Sequence, residues 1–362
     1  MSRTRFSLDR LEVPIVQAPL AGGPSTPALA AAVAEAGGLG FLAAGYKAPE
    51  TLRADVEALS ALTGRPFGVN LFAPPGPPAD PDAVAAFAAT LEIEAARYGV
   101  PVGASRHDDD GWEAKLALVA SLDVAVVSIA FGCPPPDVFT ALHEAGSAVW
   151  VTVTTPAEAA EAAQAGADAL VVQGFEAGGH RGSFDDGAPG EIGLLALLQL
   201  VAATTDLPLV ATGGIATGRA VAAVLALGAA AAQLGTAFML CPEAATAPAH
   251  RAAIEAETPT QLTRAFTGRL ARGIANRWMA EHDARAPSAY PDVHYLAAGI
   301  RAAARERGDP DGFNLWAGQA HPLAEAVPAG ELVRRLAAEA RAALHGSAQP
   351  QEGPFDPRTP AS

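Results

Sequence analysis

The stretch QGFEAGGHRGSF, residues 173–184, places one histidine among residues that shape a backbone. A run of Val and Leu that is typical of a strand ends at Gln173, and two glycines precede His180. An imidazole donates a hydrogen bond or accepts a proton near neutral pH, so it suits acid–base chemistry or the stabilisation of an anion. Of the eight histidines, His180 is the one just beyond a predicted strand. We therefore predict it as the catalytic residue.

Two charged residues flank this histidine, Glu176 four positions before it and Arg181 directly after it. Either they hold the loop and tune the imidazole, or they form a solvated pair, and the sequence leaves both interpretations open. A metal site is not expected. Gly178 and Gly179 disfavour the helix that would align Glu176 with His180, and no third ligand is near.

Two amides and two glycine loops also follow predicted strands. Asn70 and Gln173 stand at strand ends, where an amide needs partners for its donors and its acceptor, so we predict ligand contact. The loops are VATGGIATGR (210–219) and QLGTAF (233–238). Glycine lets backbone N–H groups approach a phosphate, and a following helix N-terminus favours the anion. The predicted phosphate contacts are Gly213, Gly214, Gly235 and Thr236.

One further glycine motif, GLGFLA (38–43), matches a dinucleotide-binding fingerprint. That motif should follow a strand and open a helix, whereas this one follows a predicted helix and is itself strand-like. We assign no dinucleotide site to it.

The elements that position these residues follow from an alternation of Val/Ile/Leu runs with Ala-rich amphipathic segments, which is typical of βαβ units. Because eight predicted strands alternate with helices, we predict an α/β fold, a (β/α)8 TIM barrel whose active site lies at the carboxyl ends of the strands. Ser25 and Thr26 are available to cap a helix over 27–36, and a second helix is predicted over 49–62. The predicted strands are 14–19, 39–44, 67–72, 124–131, 148–153, 169–174, 209–214 and 231–238.

The barrel is predicted to fill residues 1–245, with a helical insertion at about 74–115. Residues 246–330 are predicted to form a smaller, mainly helical cap or substrate domain, with helices and no strands through about residue 312. A periodic helix over 331–345 returns to the barrel. Residues 346–362 are rich in proline and polar side chains, which predicts a disordered tail.

Composition excludes several classes of function. The formal net charge of −15 argues against nucleic-acid and anionic-membrane partners, which require a basic face. Two cysteines fit neither a disulfide framework nor a metal cluster, and the N-terminus has no apolar signal region, so we expect a cytoplasmic protein. The apolar run from Ala220 to Cys241 is interrupted by Gly228 and Gln233, and we interpret it as a helix and a strand rather than a membrane span.

These motifs together resemble the class I nitronate monooxygenases, FMN-dependent enzymes related to the group formerly called 2-nitropropane dioxygenases. The resemblance runs from about residue 14 to 344. The motifs that carry it, in order, are VQAPLAGGPSTPALAAAVAEAGGLGFLAAGY (16–46), GVNLF (68–72), QGFEAGGHRGSF, VATGGIATGR with QLGTAFMLCPEA, and LWAGQ (315–319).

The resemblance implies FMN in the barrel and assigns residues to it. His180 matches the active-site histidine, and Ala18-Pro19-Leu20 would lie along the flavin. Tyr290 and His294, within YPDVHYL (290–296), would border the substrate pocket. With Gly213 added from the loop pattern, the predicted cofactor contacts are Ala18, Pro19, Leu20, Asn70, Gln173, Gly178, Gly213, Gly214, Gln233, Leu234, Gly235, Thr236, Trp316 and Gln319.

Two positions depart from the family's pattern. Leu20 stands where the family commonly has Met, a change that conserves volume. Just past YPDVHYL, Ala298 and Gly299 stand where some relatives have a lysine, which affects the substrate pocket rather than flavin binding.

The implied reaction is the oxidation of an alkyl nitronate of the propionate 3-nitronate type by O2, giving a carbonyl product and nitrite. His180 would hydrogen-bond to the anionic nitronate or carry positive charge beside it, or it would abstract a proton from a neutral nitroalkane. One alternative is NAD(P)H-dependent enoyl reduction, as in the related FMN enoyl-acyl-carrier reductases. A second is a protein that binds FMN without turnover. The sequence leaves the physiological nitronate and the oligomeric state open.

Overall fold

The structure is a computed structural model that describes residues 5–346. Its sheets are built from short strands, and as far as residue 234 strands and helices mostly alternate along the chain, apart from two consecutive helices between residues 81 and 121 and two consecutive strands between residues 169 and 180. The strands are β1 (Ile15–Gln17), β2 (Gly40–Ala43), β3 (Phe67–Phe72), β4 (Val126–Ala130), β5 (Ala148–Val153), β6 (Ala169–Gln173), β7 (Gly179–His180), β8 (Leu209–Thr212), β9 (Ala231–Leu234), β10 (Thr260–Thr263) and β11 (Ala271–Ile274).

Eight of these strands are parallel and form one sheet in the order β1-β9-β8-β6-β5-β4-β3-β2. The two edge strands meet through a bridge between Val16 and Leu39, where the N–H of Gln17 donates to the Leu39 carbonyl at 2.9 Å. The sheet is thereby nearly closed into a barrel, and the predicted TIM barrel is confirmed. The last two barrel strands end earlier than predicted, because Gly213 turns to a φ of +115° and Thr236–Phe238 form a 3-10 turn.

Helices surround the barrel, and several of them begin with proline in the first turn. Thr26 accepts a hydrogen bond from the Leu29 N–H at 3.0 Å, Pro27 occupies the first turn and Gly37 turns to a φ of +89°, as the sequence predicts for the first helix. The helices are α1 (Pro27–Glu35), α2 (Pro49–Leu62), α3 (Pro81–Tyr98), α4 (Trp112–Ser121), α5 (Pro136–Glu144), α6 (Pro156–Ala165), α7 (Leu194–Ala202), α8 (Gly218–Ala226), α9 (Pro248–Glu255), α10 (Arg277–His282), α11 (Asp292–Glu306) and α12 (Ala329–Gly346).

Three hydrophobic clusters organise the packing. The barrel interior is filled by side chains such as Phe41, Trp150 and Val210, and a larger cluster lies between the strands and the outer helices. Parallel strands are buried on both faces, which is why they read as continuous apolar runs. The third cluster joins α3 to α10, α11 and the chain around them, and we call this part the cap.

The cap contains strands, and the prediction of helices and no strands through about residue 312 was wrong in this respect. β10 and β11 pair antiparallel, and β11 also pairs with β7, the two-residue strand that carries His180. These strands have four residues or fewer and include Arg272 and Gly273, so neither their length nor their alternation distinguishes them from loop.

The helical insertion also ends earlier than the predicted residue 115. Trp112 begins α4, and Leu118 and Val119 of this helix belong to the barrel's outer core, whereas α3 belongs to the cap. The last helix, α12, packs against α8 on the barrel: a side chain at Gly218 would meet Glu339 and the Leu336 carbonyl. The predicted disordered tail lies outside the described residues apart from Gly346, which ends α12.

Candidate active site

A cavity of about 240 Å³ lies at the carboxyl ends of the barrel strands, between the barrel and the cap. Most of the residues predicted from the sequence line it. They are Ala18, Pro19, Leu20, Asn70, Gln173, Gly178, His180, Gly213, Gly214, Gln233, Gly235, Thr236 and Trp316.

Four predicted residues do not line the cavity. Leu234 is buried in the outer core of the barrel, and its carbonyl accepts from the Ala18 N–H at 2.8 Å. The N–H of Gln319 donates to the Glu176 carbonyl at 3.0 Å, which ties the WAGQ segment to the histidine loop. Tyr290 reaches the edge of the His180 ring, with ring centroids 6.1 Å apart, and His294 lies behind Tyr46. A contact between either of these two and a substrate stays a prediction.

One side of the cavity, the glycine wall, is formed by Gly213, Gly214, Gly235 and Thr236. Within residues 5–346, no hydrogen bond uses the backbone N–H groups of these four residues. Gly213 and Gly214 have φ values of +115° and +67°, which L side chains rarely adopt. The N-terminus of α8 contributes less than predicted, because the N–H of Gly218 already donates to Glu339 at 3.0 Å. The free donors are therefore the N–H groups of the loops.

The two predicted amides have different surroundings. Gln173 donates to the His180 carbonyl at 3.1 Å and accepts from the Gly182 N–H at 2.8 Å, so its amide holds the histidine loop. Asn70 donates to the hydroxyl of Ser128 at 3.0 Å and to its carbonyl at 3.1 Å, and its amide oxygen has no donor within the described chain. Asn70 is thus the better placed of the two to accept a bond from a ligand.

A second group of lining residues, the cap wall, consists of His180 and the aromatic residues Tyr46, Phe131 and Trp316. His180 pairs with Ala271 in the small sheet, and its Nε2 lies 2.8 Å from the Thr267 hydroxyl oxygen. Its ring meets the edges of Trp316 and Phe131 at centroid distances of 5.4 and 5.7 Å. Burial, aided by Arg269 and Arg301, lowers the pKa of His180 to about 3, so the imidazole is neutral at physiological pH.

The charged neighbours of His180 hold its loop. Arg181 is fully buried and donates to the carbonyls of Gly174 at 2.6 Å and Gly190 at 3.1 Å, and burial lowers its pKa to about 10. The Glu176 carboxylate accepts from the Leu194 N–H at 3.0 Å and caps α7. Of the two interpretations that the sequence left open, a solvated pair is therefore excluded.

Gly178 has a packing role at the cavity edge. A Cβ at this position would lie 2.4 Å from backbone atoms of Ala317 and Gly318. Glycine is therefore required for the WAGQ segment to approach the histidine loop.

Sequence reasoning missed two aromatic residues of the cap wall. Tyr46 and Phe131 follow β2 and β4, and both have positive φ values, +67° and +77°. Such a backbone is rare for bulky residues and concentrates at functional sites. The Tyr46 ring stacks on His294 at 4.2 Å, and its N–H donates to Asp110 at 3.0 Å. Both residues could have been identified from the sequence by their position at the carboxyl end of a barrel strand.

One cluster outside the cavity has ligand atoms close enough to hold a metal ion, namely Glu94, Glu281 and His282. Arg277 donates to both carboxylates, at 2.7 Å to Glu94 and 2.7 Å to Glu281. This cluster is an ion-pair network in the cap.

Comparisons with known proteins identify the family to which this site belongs. A sequence model described as nitronate monooxygenase matches residues 6–339. The chain belongs to the nitronate monooxygenase family. It is 44% identical over 343 residues to the nitronate monooxygenase of Pseudomonas aeruginosa, covering 91% of this chain and 97% of that protein. The resemblance stated from the motifs is confirmed, and so is the prediction of an oxidoreductase.

Comparisons with solved structures support the family assignment and the fold. The nitroalkane oxidase of Streptomyces ansochromogenes superimposes with a TM-score of 0.91 at 49% identity, covering 94% of this chain and all of that one. The enoyl reductase domain of MlnA from Bacillus amyloliquefaciens has a TM-score of 0.60 at 12% identity, covering 94% of this chain and 97% of that one, which is a likeness of fold alone. Within the described chain, no helix is both long and apolar enough to cross a bilayer.

Proposed function

We propose that the protein oxidises alkyl nitronates with bound FMN and O2, giving a carbonyl compound and nitrite. One observation carries the proposal: a single cavity has unpaired backbone N–H groups on its glycine wall and a neutral histidine on its cap wall. The first feature suits the phosphate of a cofactor, and the second suits hydrogen bonding to a small substrate.

The residues present fit FMN. The N–H groups of Gly213, Gly214, Gly235 and Thr236 would hold its phosphate. Asn70 and Gln173, at the ends of β3 and β6, would lie beside its ring, with Ala18, Pro19 and Leu20 along it. When bound, FMN supplies the electron transfer that no side chain of this site supplies.

His180 would hydrogen-bond to a nitronate oxygen while staying neutral. Thr267 fixes the orientation of the ring through Nε2, and within residues 5–346 no group bonds to Nδ1. Phe131 and Trp316 pack around the imidazole and limit the access of water, which strengthens each hydrogen bond made there. For a neutral nitroalkane, the other tautomer would be needed, in which Nε2–H donates to Thr267 and the unprotonated Nδ1 accepts the α-proton.

The proposed substrate is a small nitronate of the propionate 3-nitronate type, with O2 as co-substrate and no nucleic-acid or membrane partner. The proposed location is the cytoplasm, in keeping with two cysteines, Cys133 and Cys241, that form no disulfide. We also propose the domain limits predicted from the sequence, moved so that α4 belongs to the barrel.

The experiment that tests this function starts from the purified protein. We expect a yellow protein that releases FMN on denaturation and that produces nitrite from propionate 3-nitronate and O2 without NAD(P)H. Oxidation of NADPH coupled to an enoyl thioester would favour the enoyl reductase instead. Bound FMN that neither a nitronate nor a nicotinamide reduces would favour a binding protein, and a colourless protein that FMN does not reconstitute would contradict the flavin assignment.

A further inference from the structure

Two buried guanidinium groups lie behind the cap wall without a carboxylate partner. Arg301, on α11, is 7% exposed and donates to the Asn314 side chain at 3.0 Å and to the His294 Nδ1 and carbonyl at 3.0 and 3.1 Å. All three acceptors are neutral, and the Nε of Arg301 has no partner. Burial lowers the pKa of Arg301 to about 10, which still leaves it charged near neutral pH.

Arg269 is 6% exposed, and its hydrogen-bond acceptors are also neutral. It donates to the carbonyls of Arg181 and Ser183, and its guanidinium carbon lies 4.2 Å from the centre of the Phe131 ring. The nearby Asp186 is already bonded to Arg264, Ser288 and the Leu270 N–H. Within the described residues, neither Arg269 nor Arg301 has a carboxylate oxygen within 4.0 Å.

A buried cation normally has a paired anion, because desolvation without one is costly. Here the two cations lie close enough to His180 to influence it electrostatically. Both act on the titration of His180, and each contacts residues that line the cavity: Arg301 holds Asn314 directly and Tyr46 through His294, while Arg269 covers Phe131. The positive charge is thus built into the protein on the cap side.

We propose that Arg269 and Arg301 balance the negative charge of the bound nitronate, so that His180 acts as an uncharged hydrogen-bonding group. The inference rests on the proposed function and assigns the counter-charge to two residues that the motifs do not contain. The other titratable groups around His180 are Asp186, Tyr290, His294 and Tyr46. Asp186 is the one acid that acts on His180, and it also interacts with Arg269 and Arg264. Two cations and one acid therefore act on His180, so the net charge near it is positive.

The decisive variants are Arg301→Gln, which removes the charge and keeps a donor, and Arg301→Lys, which keeps the charge. Nitrate is the binding probe, since it is a planar anion like the nitronate group, and tryptophan fluorescence reports binding because Trp316 lines the cavity. We expect Arg301→Gln to raise the Kd for nitrate and the KM for propionate 3-nitronate by about tenfold. Arg301→Lys should recover most of both.

The pH profile separates charge from mere positioning. Removal of a nearby cation raises the pKa of His180, so the acid limb of kcat/KM should move to higher pH in Arg301→Gln and stay in place in Arg301→Lys. In a folded Arg269→Gln variant, the acid limb of kcat/KM should likewise move to higher pH. The matched control is Arg307→Gln, since Arg307 is exposed, donates to the carbonyls of Arg97 and Tyr98 and packs over the Tyr98 ring, away from the cavity.

Three outcomes would overturn the inference. They are no nitrate binding by the wild type, equal losses in Arg301→Gln and Arg301→Lys, or an acid limb that does not move. A wild-type protein that binds nitrate in an Arg301-dependent way but oxidises no nitronate would contradict the proposed function and leave the anion-balancing pair in place.

Discussion

The glycine wall and the cap wall of the cavity differ in what supplies their polar groups. The glycine wall presents backbone N–H groups from two loops that directly follow adjacent strands, β8 and β9. The cap wall presents side chains that are also positioned by distant segments, as in the contact of His180 with Thr267 and the stacking of Tyr46 on His294. The first wall is local in sequence and the second is assembled from distant segments.

This difference predicts two kinds of sensitivity. A backbone donor is lost only when the conformation of the chain changes, so the glycine wall should tolerate many side-chain changes nearby but no bulky residue at a positive φ. A side-chain site depends on each orienting partner, so the cap wall should respond to single hydrogen bonds. Mutations in the first wall should affect cofactor affinity, and mutations in the second should affect turnover.

The largest effect is expected for His180→Asn. Removing the imidazole should lower nitronate turnover by about 10²-fold or more, the usual scale for an acid–base or charge-stabilising group, while FMN stays bound. Nitrite release and flavin content measure the two effects. His143→Asn is the control, because His143 bonds to Asp168 on the outside of the barrel. Unchanged turnover in His180→Asn would remove this residue from the mechanism.

Gly214→Val should weaken FMN binding at the glycine wall. Its backbone has a φ of +67°, which L side chains rarely adopt, and the added Cβ would lie 3.1 Å from the Glu176 Cβ, so the Glu176 side chain must shift slightly. The left-handed conformation alone costs about 1–2 kcal/mol, which corresponds to an FMN Kd raised by about tenfold. Gly228→Val is the control, since Gly228 has a φ of +94° with nothing within 4 Å and lies away from the cavity. Equal FMN affinity in both variants would contradict the assignment of this loop.

Thr267→Val tests the dependence of the cap wall on one hydrogen bond. Valine keeps the shape but leaves the His180 Nε2 without its partner, so kcat/KM should fall by up to about tenfold, the effect of one such bond. Thr267→Ser keeps the hydroxyl and should retain most of the activity. FMN affinity should not change in either variant, and a loss of FMN with Thr267→Val would argue against the separation of the two walls.

Per histidine and per pH unit, the smallest effect is expected from acid, as a loss of folding stability. Burial lowers the pKa of His180 to about 3, of His250 to about 4 and of His294 to about 2. These histidines stay neutral in the folded protein but take up protons on unfolding below about pH 6.5, so stability should fall as the pH drops from there toward 4. Each contributes at most about 1.4 kcal/mol per pH unit.

The glycine wall and the cap wall should also differ in how early they lose stability as the pH falls. Hydrogen exchange should rise first in the cap wall as the pH falls, because the glycine wall contains no histidine. His250→Gln should flatten the dependence of unfolding free energy on pH by about one proton. Exchange that rises equally in both walls would contradict the assignment of these histidines as the cause.

The barrel could be predicted closely because its signals are local. β3 and β5 have the predicted bounds, and α2 runs over the predicted residues, since apolar runs, proline at helix starts and glycine at turns act within a few residues. The small sheet could not be predicted. β7 has two residues, and its pairing with β11 joins positions about 90 residues apart, for which one sequence carries no periodic pattern.

The sequence by itself determined the fold class, and it placed the glycine loops and His180 at one cavity, because strand ends in a barrel converge on one site. The catalytic role of His180 stays a prediction. Only the tertiary structure decided that the imidazole is neutral, that Thr267 orients it and that Arg269 and Arg301 lie behind it without carboxylates. The physical reason is that charge and burial depend on distances between segments that the linear order of the chain does not contain.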